Sequence, residues 1–198
     1  AGTARAQSVN GYNGTINPSN AAIDPSINYS GPTDANQQFI RLESTNTVLN
    51  WKPTLEAGTT GSINFQNAGA VTTFVGPRGT QQDYTVLNRI LPTDQSRSIT
   101  FNGTTNSFLG DGQTPGGNIW FYNAGGIILS PSARFDVGSL LLSTNAIAFS
   151  SETGYGATPL DIANIVFDGA ENSRSLIDIQ GPSGNLPGAI INATSSYV

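Results

Sequence analysis

Five aspartates stand where a carbohydrate-cleaving site could be assembled. Asp111 and Asp136 flank an aromatic segment, and Asp161, Asp168 and Asp178 recur among apolar segments nearer the C-terminus. Glycosidic cleavage needs one carboxyl group as acid and a second as base or nucleophile. No two aspartates are adjacent, however, and little Arg or Lys lies beside them to hold an anionic sugar. Solvated aspartates in turns and at strand edges are the expectation. The chain contains no His, Cys or Met, which excludes disulfides, thiol nucleophiles, a Ser-His-Asp triad and zinc held by nitrogen or sulfur. The repeated Gly-Gly-x-Gly-x-Asp pattern of calcium-binding coils is absent. Gly110–Gly117 is rich in glycine but lacks the lysine and following helix of a phosphate loop. No catalytic residue, metal or cofactor is expected, and the chain is read as not an enzyme.

Charge narrows the partners. Of 198 residues only 11% are charged, the net charge is −5, and Lys52 is the single lysine. Nucleic-acid binding needs clustered cations to neutralise phosphates, so that class is excluded. No apolar run approaches the roughly 18 residues of a membrane span, so membrane insertion is not expected.

The elements that would position any site are strands. Gly, Asn, Thr and Pro recur every few residues, and no dozen-residue window shows helical spacing of apolar positions. Short β segments are abundant: Phe39–Leu42, Thr47–Trp51, Ser62–Phe65, Val71–Val75, Tyr84–Leu87, Ser98–Phe101, Asn118–Tyr122, Gly126–Leu129, Arg134–Val137 and Ser139–Leu142. Asp161–Phe167, Leu176–Ile179 and Ala189–Ile191 complete the set. Short strands between turns suit either a β-sandwich or a coil of parallel strands. Ile99, Ile119, Leu141 and Ile162 lie about 20 to 22 residues apart, the length of one coil of three strands and three turns. That spacing favours the coil and predicts seven to nine rungs of about 4.8 Å each. Alternation points Trp120 and Tyr122 outward from Ile119 and Phe121, so an additional hairpin or sheet is expected over them. The Asn-, Pro- and Gly-rich N-terminal region, residues 1–38, is the expected cap. Within it, Ala4-Arg5-Ala6 before Gln7 has the form of a signal-peptide remnant.

An ordered set of motifs carries a resemblance. Gly116–Ser130, containing Asn118-Ile119-Trp120-Phe121-Tyr122-Asn123-Ala124-Gly125-Gly126-Ile127, is followed by Ala133–Thr144. Together they resemble the core signature of the filamentous-haemagglutinin-type secretion domain, the N-terminal domain of two-partner-secretion exoproteins. Val48-Leu49-Asn50-Trp51, Ser62-Ile63-Asn64-Phe65 and Val86-Leu87-Asn88-Arg89-Ile90 follow the order of that family's Ile-Asn-Trp, Val-Asn-Phe and Leu-Asn-Arg-Val elements. The likeness spans roughly residues 39 to 146. Asn123–Ile127 departs from the family's Asn-Pro-Asn-Gly-Ile by losing the proline and second asparagine. The subgroup motif Asn-Pro-Asn-Leu is not found, and Gly76–Asp83 and Asn102–Pro115 read as insertions.

The resemblance implies an all-β, right-handed parallel β-helix with an N-terminal cap and an extra-helical β-hairpin or sheet. Residues 39–198 would be the secretion domain, cut from a longer adhesin- or haemagglutinin-like exoprotein of a Gram-negative bacterium. Its implied partner is an outer-membrane transporter with periplasmic recognition domains; the chain would cross unfolded and fold, as a monomer, outside the cell. Host or surface carbohydrate or protein would be met through the missing passenger. The implied recognition residues are Asn88, Arg89, Asn123, Ala124, Gly125, Gly126 and Ile127, although tight turns with internally bonded asparagines explain the same letters. A polysaccharide-binding or polysaccharide-active β-helix and a structural β-sandwich of a fibre or capsid are the alternative readings.

Overall fold

The computed structural model describes residues 11–16, 36–56, 58, 60–149, 165–168 and 175–194. Every regular element among them is a strand: β1 (Gly14–Ile16), β2 (Gln37–Arg41), β3 (Asn46–Pro53), β4 (Ile63–Gln66), β5 (Val71–Val75), β6 (Thr85–Ile90), β7 (Ile99–Phe101) and β8 (Thr104–Phe108). Then follow β9 (Asn118–Tyr122), β10 (Ile127–Leu129), β11 (Arg134–Val137), β12 (Ser139–Ser143), β13 (Ala146–Phe149), β14 (Ile165–Asp168), β15 (Ile177–Ile179) and β16 (Ile190–Ala193). Gly, Pro, Asn or Ser lies within a few residues of most strand ends and stops the strand before a longer one can form.

The strands build three sheets, ordered β4-β7-β10-β15, β2-β5-β8-β11-β16 and β1-β3-β6-β9-β12. Within these sheets all neighbours are parallel except β1, which lies antiparallel on β3. From β2 to β12 consecutive strands visit the three sheets in a fixed cycle, and β15 and β16 resume it. The first circuit is β2, β3 and β4, the second β5, β6 and β7, and the third β8, β9 and β10. This all-parallel arrangement does not fit the antiparallel sandwich. Among the described residues antiparallel pairing is confined to β1, isolated bridges, and the separate pair of β13 with β14.

The circuits are longer than the expected 21 residues. Val71 pairs with Thr104, 33 residues on, and Asn46 with Thr85, 39 residues on; only the step from Asn118 to Ser139 spans 21. Ile99 and Ile119 lie in different sheets, on β7 and β9, and Leu141 is paired with the outward Trp120. Ile162 lies outside the described residues. The extra length sits in the corners, and among the described residues the three sheets stack four or five strands, against the expected seven to nine rungs.

Register explains how so narrow a chain makes a core. Ile63, Ile99, Ile127 and Ile177 face one another across four consecutive strands. Val86, Ile119 and Leu140 do the same in another sheet. Each inward position is therefore shielded by its counterparts one strand away, and cross-strand pairs of branched side chains supply the packing. The centre is aromatic: the Phe101 ring lies 4.9 Å from Phe121 and 5.6 Å from Phe135, in edge-to-face contact, an arrangement favoured by the ring quadrupoles.

A second apolar layer lies outside. Val48, Leu87, Trp120 and Leu141 form an outward ladder across β3, β6, β9 and β12, and buried Ile147 of β13 packs on that layer with Tyr122. Arg89 Nη2 donates to the Ile147 carbonyl at 2.9 Å. Exposed aromatics here would cost the hydrophobic energy that β13 recovers by covering them. Ile147→Asp places a carboxylate in this layer, and is expected to raise amide exchange across β13 by tenfold or more, roughly the effect of burying an uncompensated polar group. The amides of β6 and β9 should stay protected.

Candidate functional site

The implied recognition residues gather where β6 and β9 turn toward the sheet of β4, β7, β10 and β15. Asn123 is fully buried. Its Nδ2 donates to the Ile90 carbonyl at 3.1 Å, and its Oδ1 accepts the Gly125 N–H at 3.1 Å. The Gly126 N–H returns to the Asn123 carbonyl, closing the turn. A short polar side chain is needed here because the turn leaves backbone groups that no ladder can pair. Asn123→Ala is expected to lower stability by about 2 kcal/mol, the cost of stranding two buried partners, measured as a fall in the urea midpoint.

The next three residues are fixed by close approach. A Cβ on Gly125 would lie 2.2 Å from the Arg97 carbonyl oxygen and 2.6 Å from its nitrogen. Gly126 has φ of 114°, in the left-handed region, where a side chain is strained. The Ala124 carbonyl accepts the Ser175 hydroxyl. Ile127 is wholly buried in the isoleucine ladder and its N–H donates to the Leu176 carbonyl at 2.9 Å.

Asn88 and Arg89 point to opposite faces of β6. Asn88 is buried: its Oδ1 accepts the Trp51 indole N–H at 3.0 Å, and its Nδ2 donates to the Trp120 carbonyl at 3.1 Å. It thus joins three consecutive strands of one sheet. Arg89 faces outward and ties β6 to β13. The structure brings the two groups into neighbouring strands and the corner that follows them. In the folded chain the side chains of Asn88 and Asn123 are engaged internally.

Sequence reasoning passed over Arg97, which holds this corner from below. Its Nε donates to the Gly61 carbonyl, and Nη1 donates to the carbonyls of Glu56 and Gly58, all at 3.0–3.1 Å. Arg41 likewise donates to the carbonyls of Gly76 and Gly110, and Arg134 to those of Ala133 and Gly188. These arginines brace backbone turns. Nothing in Ser96-Arg97-Ser98 signals that role, since the three carbonyls come from 36 to 41 residues earlier.

The aspartates separate. Asp111 caps its own loop: the Thr114 hydroxyl, then the N–H groups of Gln113 and Thr114, hold its carboxyl below the usual range. Asp136, exposed on β11, accepts Asn192 Nδ2 at 2.5 Å, and Asp178, on β15, accepts Gln180 Nε2 at 3.0 Å. Asp161 lies outside the described residues, and Asp168 ends β14. Among the described residues no three carboxylates group as metal ligands would.

One further surface stands out. At the open end of the sheets Leu176, Ile177, Ile179 and Ile190 are exposed, although Ile177 and Ile179 continue the buried ladders of Ile127 and Leu129. The opposite end is covered by residues 11–16, where Asn13 N–H donates to the Phe65 carbonyl and β1 lies on β3. Comparison with family models, curated proteins and solved structures gave no match.

Proposed function

We propose that the chain is an exported module of the filamentous-haemagglutinin type: a right-handed parallel β-helix that initiates folding of a longer bacterial surface exoprotein after passage through a partner outer-membrane transporter. The observation that carries this reading is the fixed cycling of parallel strands through three sheets, with β13 laid over an outer aromatic layer. The ordered motifs from Val48 to Thr144 fall on those same strands and corners. Residues 11–16, covering the first circuit, serve as part of the cap. The exposed apolar side chains of β15 and β16 supply a surface on which further parallel strands stack.

Recognition, in this reading, acts on the unfolded chain, because the Asn88 and Asn123 side chains are occupied once the strands have stacked. An extended segment around Asn123–Ile127 pairs with a sheet edge of the transporter's periplasmic domains by strand addition. Nothing covalent has to be made after crossing, since the chain has no cysteine. The test is export of a fused passenger from a Gram-negative host carrying the transporter encoded beside the gene. Deletion of residues 118–130 should abolish export; undiminished export refutes the assignment.

A further inference from the structure

We propose that the N-terminal segment is a strap that locks only after the third circuit has formed, with Tyr12 as its bolt. Tyr12 is fully buried, and its ring touches side chains from three successive circuits. Trp51 and Phe65 of the first lie at centroid distances of 5.4 and 4.9 Å. Phe74 and Phe101 of the second lie at 6.2 and 5.8 Å, and Phe121 of the third at 6.1 Å. Its hydroxyl meets Thr105 Oγ1 on β8 at 2.7 Å, across 93 residues of chain.

The backbone partners of the same segment all belong to the first circuit. Tyr12 N–H donates to Gln38 Oε1, Asn13 N–H to the Phe65 carbonyl, and Thr54 N–H to the Asn13 carbonyl. On the first circuit alone, docking residues 11–16 gains those hydrogen bonds, two aromatic contacts and an antiparallel pair of three residues. Loop closure and backbone ordering both oppose that state. Phe74, Phe101 and Phe121, and a buried partner for the hydroxyl, become available only when β5, β7, β8 and β9 are in place. Most of the reward for docking therefore arrives late.

If the export reading holds, the consequence is directional. Residues 11–16 stay unlocked until the chain has emerged through Phe121, more than a hundred residues later, so the N-terminal segment remains free while Asn88 and Arg89 pass. This consequence rests on the proposed function; the locking order does not.

The order is tested on the full purified chain by pulse-labelling amide exchange during refolding from urea. The Tyr12 and Asn13 amides should gain protection with, or after, those of Thr104 and Asn118, which bond to the Ala70 and Tyr84 carbonyls. Protection of Tyr12 and Asn13 ahead of β8 and β9 would overturn the proposal and leave the export reading untouched. A second measurement uses the folded state. Thr105→Val removes the 2.7 Å partner of the Tyr12 hydroxyl, and should raise exchange at Tyr12 and Asn13 by about 10- to 100-fold, the range expected for a buried group losing a partner. The β3–β6 amides should be unchanged; an equal rise there would mean that Thr105 supports the fold generally, and would also overturn the strap.

Discussion

Tyr12→Ala is expected to lower stability by about 3–5 kcal/mol, the range for removing a buried aromatic side chain. The side chain fills the space between Trp51, Phe65, Phe74, Phe101 and Phe121, and a narrow interior built from stacked strands cannot close over the hole without shifting several strands together. At roughly 2–4 °C per kcal/mol for a chain of this size, the melting temperature should fall by about 6–20 °C. Tyr12→Phe separates the two components. It keeps the ring and leaves Thr105 Oγ1 without the phenol, so a loss of only about 1 kcal/mol is expected. Burial raises the Tyr12 phenol well above its ordinary value. A group whose folded value is raised contributes its full stability below the unfolded value, near 10, and loses it as pH climbs beyond that. Urea midpoints of the wild type should therefore drop above pH 10. Tyr12→Phe should remove part of that slope; the remainder comes from Tyr84, which burial also raises.

Gly125→Val should destroy the folded state while leaving the motif otherwise intact. Even the first carbon of the new side chain meets the Arg97 backbone at 2.2–2.6 Å, and that backbone is held by the three-carbonyl grip of its own guanidinium. Relief requires the stacked corners to part, breaking the bonds of Asn123 and the entry to β10, at a cost above about 4 kcal/mol, the level reserved for severe steric and network damage. The variant separates recognition from folding. Under the proposed export function, if the partner reads an unfolded strand, a passenger fused to Gly125→Val should still be exported, and the module outside should be cut rapidly by protease. Loss of export in step with loss of folding would mean that a folded surface is what the partner recognises.

Much of the architecture was legible because alternation and turn residues act locally. Phe39–Leu42, Thr47–Trp51, Val71–Val75, Asn118–Tyr122 and Arg134–Val137 each coincide with a strand to within two residues. The outward aromatics Trp120 and Tyr122 pointed to a covering layer because two such rings in water are costly. What escaped was non-local. β8, Thr-Thr-Asn-Ser-Phe, read as part of an insertion between the family's elements, and its inward residues are polar. Thr105 is nevertheless buried to meet the Tyr12 hydroxyl, and Ser107 to accept the Gly138 N–H. No composition rule distinguishes a hydroxyl that faces water from one that faces a partner 93 residues away. The interval between Ile99 and Ile119 misled for a related reason: it measures the path from one sheet to the next, while stacking follows the longer path around all three. At the candidate site, the turn geometry of Asn123–Gly126 was readable from its glycines, whereas the grip of Arg97 on earlier carbonyls was not.

The uneven length of the circuits separates contour length from height. Steps of 21, 33 and 39 residues all advance the stack by one strand spacing, so material added at a corner lengthens the polypeptide without lengthening the column. The exposed stretch around Arg78–Asp83 already bulges in this way between β5 and β6. A tag or epitope spliced between Gln81 and Gln82 would be displayed sideways at a fixed level, which makes these corners suitable grafting points that leave the stacked strands unchanged.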